Sequence, residues 1–211
     1  MIIPTTQQVG GLIAEAGTEF DAFIGLCAFA GLRLGEAAAI QVGDIDFLRR
    51  EVNVQRQVQR ANGHAVEIRA PKYGSERTIP IPDGLIDILS LHVAHWGPGD
   101  EPTRWMFPGE GKHPMHQNSV GYRWRKIRKA IGADHLHLHH LRHFYASGLI
   151  AAGCDVVTVQ RALGHSSPTV TLNTYSHLWP DADDKTRKAA DALFKSSAES
   201  AADAQRTEGT K

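Results

Sequence analysis

Five short motifs, spread along the chain, carry side chains that could act together on a charged substrate. They are GLRLGE, PKYGSERTIP, HHLRH, LGHSS and TLNTYSH, and their candidate catalytic residues are Arg33, Lys72, His139, Arg142, His165 and Tyr175. Each motif alone is weak evidence. An exposed arginine usually only solvates a surface, and a histidine within an apolar helix is more often a hydrogen-bonded core residue than a catalyst. The case for chemistry therefore depends on the whole set.

The set suits nucleophilic attack on a phosphodiester. Such a substrate is an anion, and the guanidinium groups of Arg33 and Arg142 can bind its non-bridging oxygens and stabilise the charge of the transition state. A lysine would not match that two-pronged geometry. A free tyrosine has a pKa of about 10. Tyr175 must therefore be activated by nearby cations or lose its proton during the attack.

The order and spacing of the motifs resemble the tyrosine recombinases. That family has an arginine in a GLR turn with a glutamate three residues later, a lysine on a β-hairpin, a His-x-x-Arg motif, a Gly-His pair and a tyrosine ten residues past that histidine. All six catalytic positions are filled here, and the flanks SERTIP, LRH and TYSHL also match. The resemblance covers about Thr5 to Leu178.

This resemblance implies a site-specific recombinase that cuts DNA through a 3′-phosphotyrosine at Tyr175. It assigns Lys72 to protonating the leaving 5′-oxygen, His139 to proton transfer and His165 to a hydrogen bond with the phosphate. Glu36 would orient Arg33 or its helix. A second 5′-hydroxyl could reverse the step, because the phosphotyrosine stores the bond energy. Nothing in the motifs supplies an oxygen-rich magnesium site, and we expect neither a metal nor another cofactor.

Three departures from the family pattern stand out. Gly35 occupies a position where serine or threonine is frequent, which bears on packing more than on chemistry. His140 precedes LRH where an acidic residue is common, which could change the tuning of His139. The catalytic pattern also starts within the first ten residues. We therefore expect the N-terminal core-binding domain of these enzymes to be absent from the 211 residues.

Hydrophobic periodicity predicts an α+β fold that is mainly helical, with a small three-stranded antiparallel sheet in the N-terminal third, as in the recombinase catalytic domain. Thr5 and Gln8 have capping-box spacing at the start of the first helix. Further helices are predicted at about 19–29 and 34–41. Strands follow at Val52–Val58, in AVEIR and in RTIPIP, with a turn at ANGH. The remaining helices lie in LIDILSLHVAHW, NSVGYRWRKIRKAIG, HHLRHFYASGLIAAG, VVTVQRALG and SPTVTLNTYSHL, and from Asp181 to Lys195.

The predicted organisation is a catalytic domain over residues 1–195 and a disordered tail over 196–211, which has no large apolar residue. Leu193 and Phe194 on the last helix either cover the protein's own core or pack on a neighbouring protomer. The resemblance implies a tetramer on DNA for the full-length enzyme, with possible exchange of the C-terminal helix between protomers. The segment TLNTYSHLWPDADD and the tail resemble integrases of actinobacterial phages or prophages.

The composition does not decide whether the protein binds nucleic acid, but it does indicate a cellular location. The net charge is zero, with 23 basic and 23 acidic residues, which by itself argues mildly against a nucleic-acid partner. A local basic face is enough for double-stranded DNA, however. The helix at NSVGYRWRKIRKAIG offers one, and we predict DNA contacts from Arg123, Arg125, Lys126, Arg128 and Lys129. Two distant cysteines and the short apolar runs favour a reducing, cytoplasmic location and no membrane partner.

Several alternatives remain open. His139 and His143, one helical turn apart among five nearby histidines, could ligate zinc, although no acidic or cysteine ligand has suitable spacing. Chromosome-dimer or transposon resolution competes with integration, because the catalytic residues are shared. A non-cutting DNA-binding fragment and a type IB topoisomerase-like enzyme are further possibilities. The intact catalytic set argues against the first, and the order of the motifs argues against the second.

Overall fold

The computed structural model describes residues 1–60, 66–96, 101–111, 113–179 and 183–208. The predicted ANGH turn and part of the loop after residue 96 lie outside these ranges. The chain divides into two compact units, Met1–Ser176 and His177–Lys211. All the candidate catalytic residues belong to the first unit.

The fold class is as predicted, α+β and mainly helical. The helices of the described residues are α1 (Thr6–Phe29), α2 (Leu34–Ala38), α3 (Asp83–Trp96), α4 (Gln117–Ala130), α5 (His139–Ala151), α6 (Val156–Leu163), α7 (Pro168–Tyr175) and α8 (Asp183–Glu208). The strands are β1 (Ile45–Asp46), β2 (Glu51–Val54), β3 (Gln57–Arg60), β4 (Val66–Arg69) and β5 (Arg77–Pro80).

Helix α1 begins with the predicted capping box. The Thr5 hydroxyl accepts a hydrogen bond from the Gln8 backbone at 3.1 Å, and the Gln8 side chain accepts one from the Thr5 backbone at 2.9 Å. The two helices predicted over this segment form one element that is kinked at Gly17, whose φ of 57° and ψ of 177° interrupt the helical backbone. Glycine adopts this conformation without steric cost.

The described strands form the predicted three-stranded antiparallel sheet and, beside it in the sequence, a second sheet of two strands. One has the order β1-β2-β5, with Val52 opposite Ile79, and the other pairs β3 with β4, with Val58 opposite Ile68. Both are antiparallel. The strand predicted across Val52–Val58 is interrupted between β2 and β3, where Arg56 donates to the buried carboxylate of Asp44 with bonds of 2.7 and 3.0 Å.

The second half of α1 lies at the centre of the core. Phe20 and Phe23 stack with ring centroids 4.8 Å apart, and Phe23 meets Phe107 edge to face at 5.0 Å. A Cβ at Gly25 would lie only 2.7 Å from a terminal methyl group of Leu85, so a larger residue there would require the Leu85 side chain to move. Helices α2 to α5 all contact α1. This packing holds the start of α2 and the start of α5 beside each other.

The second unit contains α8. The sequence predicted a helix only to Lys195 and a disordered tail from Ser196, whereas α8 continues through Glu208. Its last turns are rich in alanine, glutamate, glutamine and arginine, which favour helix without needing large apolar contacts. Leu193 and Phe194 are exposed. Their packing role and the domain boundary at residue 195 stay predictions.

Candidate active site

Arg33 stands at the N-terminus of α2, where Glu36 holds it in place. One Glu36 oxygen accepts the Arg33 backbone N–H at 3.0 Å, and the other accepts the Arg33 guanidinium at 2.7 Å. The Arg33 side chain is 28% exposed, while Glu36 is 1% exposed. A further Arg33 bond of 3.4 Å reaches the carbonyl of Gly164. The guanidinium therefore has a fixed inner edge and an accessible outer edge.

Arg77 is a second partner of Glu36 that the motif analysis did not single out. It lies on β5 and donates two hydrogen bonds to the carboxylate, at 2.9 and 3.3 Å. Its Nε donates to the carbonyl of Ala162 at 2.9 Å. Burial alone would raise the pKa of Glu36, but the bonds and charge of Arg77 and Arg33 outweigh it and hold that pKa below its ordinary value. In the sequence, the only sign of a role for Arg77 was its place in SERTIP, the segment after Lys72 that matches the family.

Arg142 is the most deeply buried cation of the site, with 1% of its surface exposed. Its guanidinium donates to the carbonyls of Gly31 at 2.6 Å and Leu163 at 2.5 Å. Burial and the charge of Arg33 lower its pKa to about 9, so it remains mostly protonated at neutral pH. Gly31 is required because its φ is 64° and a Cβ there would lie 2.4 Å from the Tyr145 ring.

His165 follows Gly164, the left-handed residue that caps the C-terminus of α6 and has a φ of 62°. Its Nδ1 is hydrogen-bonded to the buried hydroxyl of Thr171 at 2.9 Å. The His165 ring lies parallel to that of Tyr175, with centroids 6.4 Å apart. Burial and the charges of Arg142, Arg33 and Arg77 lower the pKa of His165 to about 4. The imidazole is therefore neutral at neutral pH and can offer one hydrogen-bond donor to an anion.

Tyr175 ends α7 and is 1% exposed. Its hydroxyl lies 2.8 Å from Nδ1 of His143, another residue outside the predicted catalytic set. Burial raises the pKa of Tyr175, and the positive charges of Arg142 and Arg33 partly oppose that rise. The nucleophile proposed from the sequence thus lies in the field of both arginines.

These contacts bring five of the six predicted catalytic residues into one cluster, formed by the start of α2, the start of α5 and the α6–α7 segment. His139 begins α5 and is accessible to solvent. The atoms packed around its ring and the charges of Arg142 and Arg33 lower its pKa. The two arginines can bind an anionic phosphate and stabilise the charge that develops on it. The tyrosine beside them can then attack its phosphorus atom.

Residues 5–181 match the model of the phage integrase family. The chain belongs to this family. It is 30% identical over 175 residues to the tyrosine recombinase XerC-like protein of Caldanaerobacter subterraneus subsp. tengcongensis, over 74% of this chain and 45% of that protein. It is 28% identical over 195 residues to the ICEBs1 integrase of Bacillus subtilis, over 86% of this chain and 50% of the relative. The chain thus spans about half the length of these relatives.

A solved structure shares the fold of this phage integrase family member. It is the Tn1549 transposon integrase in complex with transposon right end DNA, with a TM-score of 0.74 and 22% identity. The likeness covers 92% of this chain and 66% of that one. The predicted recombinase catalytic fold is confirmed. No helix in the described part of the chain has the length and apolar character needed to cross a membrane.

Lys72 lies at the edge of this integrase-family site rather than within the cluster. It begins a short 3-10 helix between β4 and β5 and is exposed. Together with Arg33 it lines a hollow of about 440 Å³, whose wall also includes Gln57 and Gln117. A Cβ at Gly35 would lie 2.6 Å from the carbonyl oxygen of Val58. Glycine at this departure from the family pattern thus lets the β3–β4 sheet pack against α2.

The five basic residues of α4 that were predicted to contact DNA differ in their exposure and in their partners within the protein. Arg125, Lys126 and Lys129 are exposed. Arg123 pairs with Glu19 at 2.5 Å and lies over the ring of Phe20, and Arg128 donates to the carbonyl of Leu136 at 2.6 Å. Two of the five cations therefore have partners within the protein, which the linear pattern of charges could not reveal.

Proposed function

We propose that the chain is the catalytic part of a site-specific DNA recombinase that cleaves and rejoins strands through a phosphotyrosine at Tyr175. The observation that carries this proposal is the cluster itself. The charge of Arg33 acts on Arg142, the rings of His165 and Tyr175 lie parallel with centroids 6.4 Å apart, and Lys72 lines a hollow together with Arg33. A protein that only binds DNA does not need a buried tyrosine beside two arginines.

In the proposed reaction, Arg33 and Arg142 hold the non-bridging oxygens of one phosphate and stabilise the charge that builds up on them. Tyr175 attacks phosphorus, which forms a 3′-phosphotyrosine and releases a 5′-oxygen. Lys72 protonates that leaving oxygen, His165 donates a hydrogen bond to the phosphate, and His139 takes part in proton transfer. Glu36 keeps Arg33 in position. Attack by another 5′-hydroxyl reverses the step without an external energy source.

The direct test is covalent trapping. A nicked suicide duplex from the DNA flanking the gene is incubated with the protein and resolved on a denaturing gel. We expect a slow-migrating protein–DNA adduct that persists in excess EDTA. Tyr175→Phe is the matched control, because it removes only the hydroxyl, and it should bind the duplex without forming the adduct. An adduct formed by Tyr175→Phe would assign the nucleophile elsewhere, and loss of the adduct in EDTA would require a metal.

Within the family, we propose a phage or prophage integrase that acts on attachment sites in double-stranded DNA in the cytoplasm, as a tetramer when the whole protein is assembled. The ICEBs1 relative supports integration, while the XerC-like relative keeps chromosome-dimer or transposon resolution as the second candidate. A plasmid assay separates the two. Integration joins two separate molecules that carry attachment sites, whereas a resolvase excises the segment between two directly repeated sites on one molecule.

A further inference from the structure

The hydroxyl of Tyr175 is hydrogen-bonded to a histidine that has no part in the function proposed above. Nδ1 of His143 lies 2.8 Å from the Tyr175 oxygen, and the two rings meet edge to face with centroids 5.6 Å apart. We propose that His143 is a catalytic base, which receives the hydroxyl proton of Tyr175 during attack and returns it when the strand is rejoined. This inference rests on the proposed recombinase function.

Burial makes a protein base necessary. Because Tyr175 is 1% exposed, bulk water has little direct access to it. Arg33 and Arg142 carry only donor groups and cannot accept it. His165 lies parallel to the Tyr175 ring, and its Nδ1 is already bonded to Thr171. His139, which has a proton-transfer role in the proposed reaction, makes no hydrogen bond to Tyr175 among the described residues, whereas His143 has a ring nitrogen at 2.8 Å, within the 2.6–3.2 Å expected of a general base.

His143 is in the right protonation state to act. Its pKa is lowered to about 4 by burial and by the charges that face it, which are His139, His140 and Arg142 on α5 and the amino group of Met1. Tyr175 on α7 is its other ionisable neighbour. At neutral pH the ring is neutral and has one acceptor nitrogen. A bound DNA phosphate adds a negative charge nearby, which favours the imidazolium and increases the proton affinity of the ring.

The step balances without another reactant. As the bond from the Tyr175 oxygen to phosphorus forms, the O–H bond breaks and its proton moves to Nδ1 of His143. The bond from phosphorus to the 5′-oxygen breaks, and that oxygen takes a proton from Lys72. In the reverse direction the His143 imidazolium protonates the departing Tyr175 oxygen. In this direction His143 acts as the acid and Lys72 as the base.

The first test needs no DNA. Long-range proton–nitrogen correlation spectra of the ¹⁵N-labelled protein at pH 7 report which nitrogen of each imidazole carries hydrogen. For His143 we expect an unprotonated Nδ1 and a protonated Nε2, with the Nδ1 signal shifted in Tyr175→Phe. A hydrogen on Nδ1 would overturn the proposal, because the nitrogen that faces Tyr175 could then only donate.

The second test measures adduct formation on the suicide duplex. His143→Asn keeps a polar group near the Nδ1 position but is not a base, and its matched control is His135→Asn, an exposed histidine in the loop before α5. We expect His143→Asn to form the adduct about 100-fold more slowly or worse, with the control unchanged. The rate of the variant should also rise steeply with pH, because hydroxide must remove the phenol proton. Thermal melting of both variants checks the fold.

A 5′-phosphorothiolate duplex separates His143 from Lys72. Sulfur leaves without protonation, so this substrate should rescue Lys72→Ala and leave the His143→Asn defect in place. Rescue of His143→Asn by sulfur, or equal rates for His143→Asn and His135→Asn, would overturn the inference while the recombinase function stands. A wild-type protein without an adduct on either duplex would instead overturn the recombinase function and, with it, the catalytic step.

Discussion

Arg142 and Lys129 both carry positive charge toward the substrate proposed here, but the protein holds them differently. Arg142 is buried and bonded to two backbone carbonyls, and its pKa is lowered by burial and by Arg33. Lys129 is exposed on α4 along with Arg125 and Lys126. A fixed cation in a water-poor site can stabilise a transition state without reorganising. An exposed cation is screened by salt and contributes mainly to binding.

The largest effect should come from the buried region. Arg142→Ala removes a phosphate ligand and leaves the carbonyls of Gly31 and Leu163 without their donors. We expect adduct formation to fall by about 1000-fold or more. Arg142→Lys should restore little, because an ammonium group cannot match the planar fork. Single-turnover rates on the suicide duplex measure both variants. Full activity of Arg142→Lys would show that charge alone matters here.

Lys72 tests an exposed cation that is proposed to take part in the chemistry. Lys72→Ala should slow cleavage of the ordinary duplex by about 100-fold. The 5′-phosphorothiolate duplex should recover most of that loss, since its leaving group needs no proton. The comparison is made between the two substrates with the same variant preparation. Equal defects on both would assign Lys72 to DNA binding and place it with the α4 cations.

Replacing Arg77 tests how much the buried ion pair between Arg77 and Glu36 contributes to the stability of the fold. Arg77→Ala leaves the buried Glu36 carboxylate with fewer bonds, and we expect the free energy of unfolding to fall by about 3 kcal/mol. Arg69→Ala is the matched control, because Arg69 pairs with Glu67 at 2.6 Å on the surface. Its cost should stay under about 1 kcal/mol. Urea titrations at pH 7 compare them. Similar losses for the two variants would contradict the buried network.

The same network predicts a pH dependence. Because the folded pKa of Glu36 lies below its ordinary value of 4.5, its stabilisation is present above that pH and is lost as the pH falls through the lower, folded value. Wild-type protein should therefore lose more stability between pH 7 and pH 3.5 than Glu36→Gln, in which this position does not titrate. Urea midpoints at several pH values measure the difference. If wild-type protein and Glu36→Gln lost the same stability over this pH range, Glu36 would not be the cause of the pH dependence.

The smallest effect should come from α4. Lys129→Ala should weaken DNA binding several-fold and reduce the slope of log affinity against log salt by about 1, if Lys129 neutralises one phosphate. Arg123→Ala should change the slope less, because Arg123 is paired with Glu19. Fluorescence titrations of a labelled duplex at several salt concentrations give both slopes. An unchanged slope for Lys129→Ala would place the DNA interface elsewhere.

The sequence alone determined the family, the six candidate catalytic positions and most of the helices. These features depend on residue types at short, regular spacings, such as the Thr5–Gln8 capping box and the His139–Arg142 motif. Local backbone geometry turns such spacings into structure without help from distant parts of the chain. The end of the last helix was harder to predict, because its final turns have helix propensity but no apolar pattern.

Only the tertiary structure decided how the site is held together. The Arg77–Glu36 pair joins residues 41 positions apart, and the His143–Tyr175 bond joins residues 32 apart. The Arg56–Asp44 pair likewise lies at the point where the predicted strand is divided between two sheets. A spacing pattern cannot identify such partners, because many polar residues have compatible chemistry and only the packing of α1 against its neighbours brings particular ones within reach. The sequence thus gives the candidate catalytic residues, and the fold determines which residues contact them, such as Arg77 at Glu36 and His143 at Tyr175.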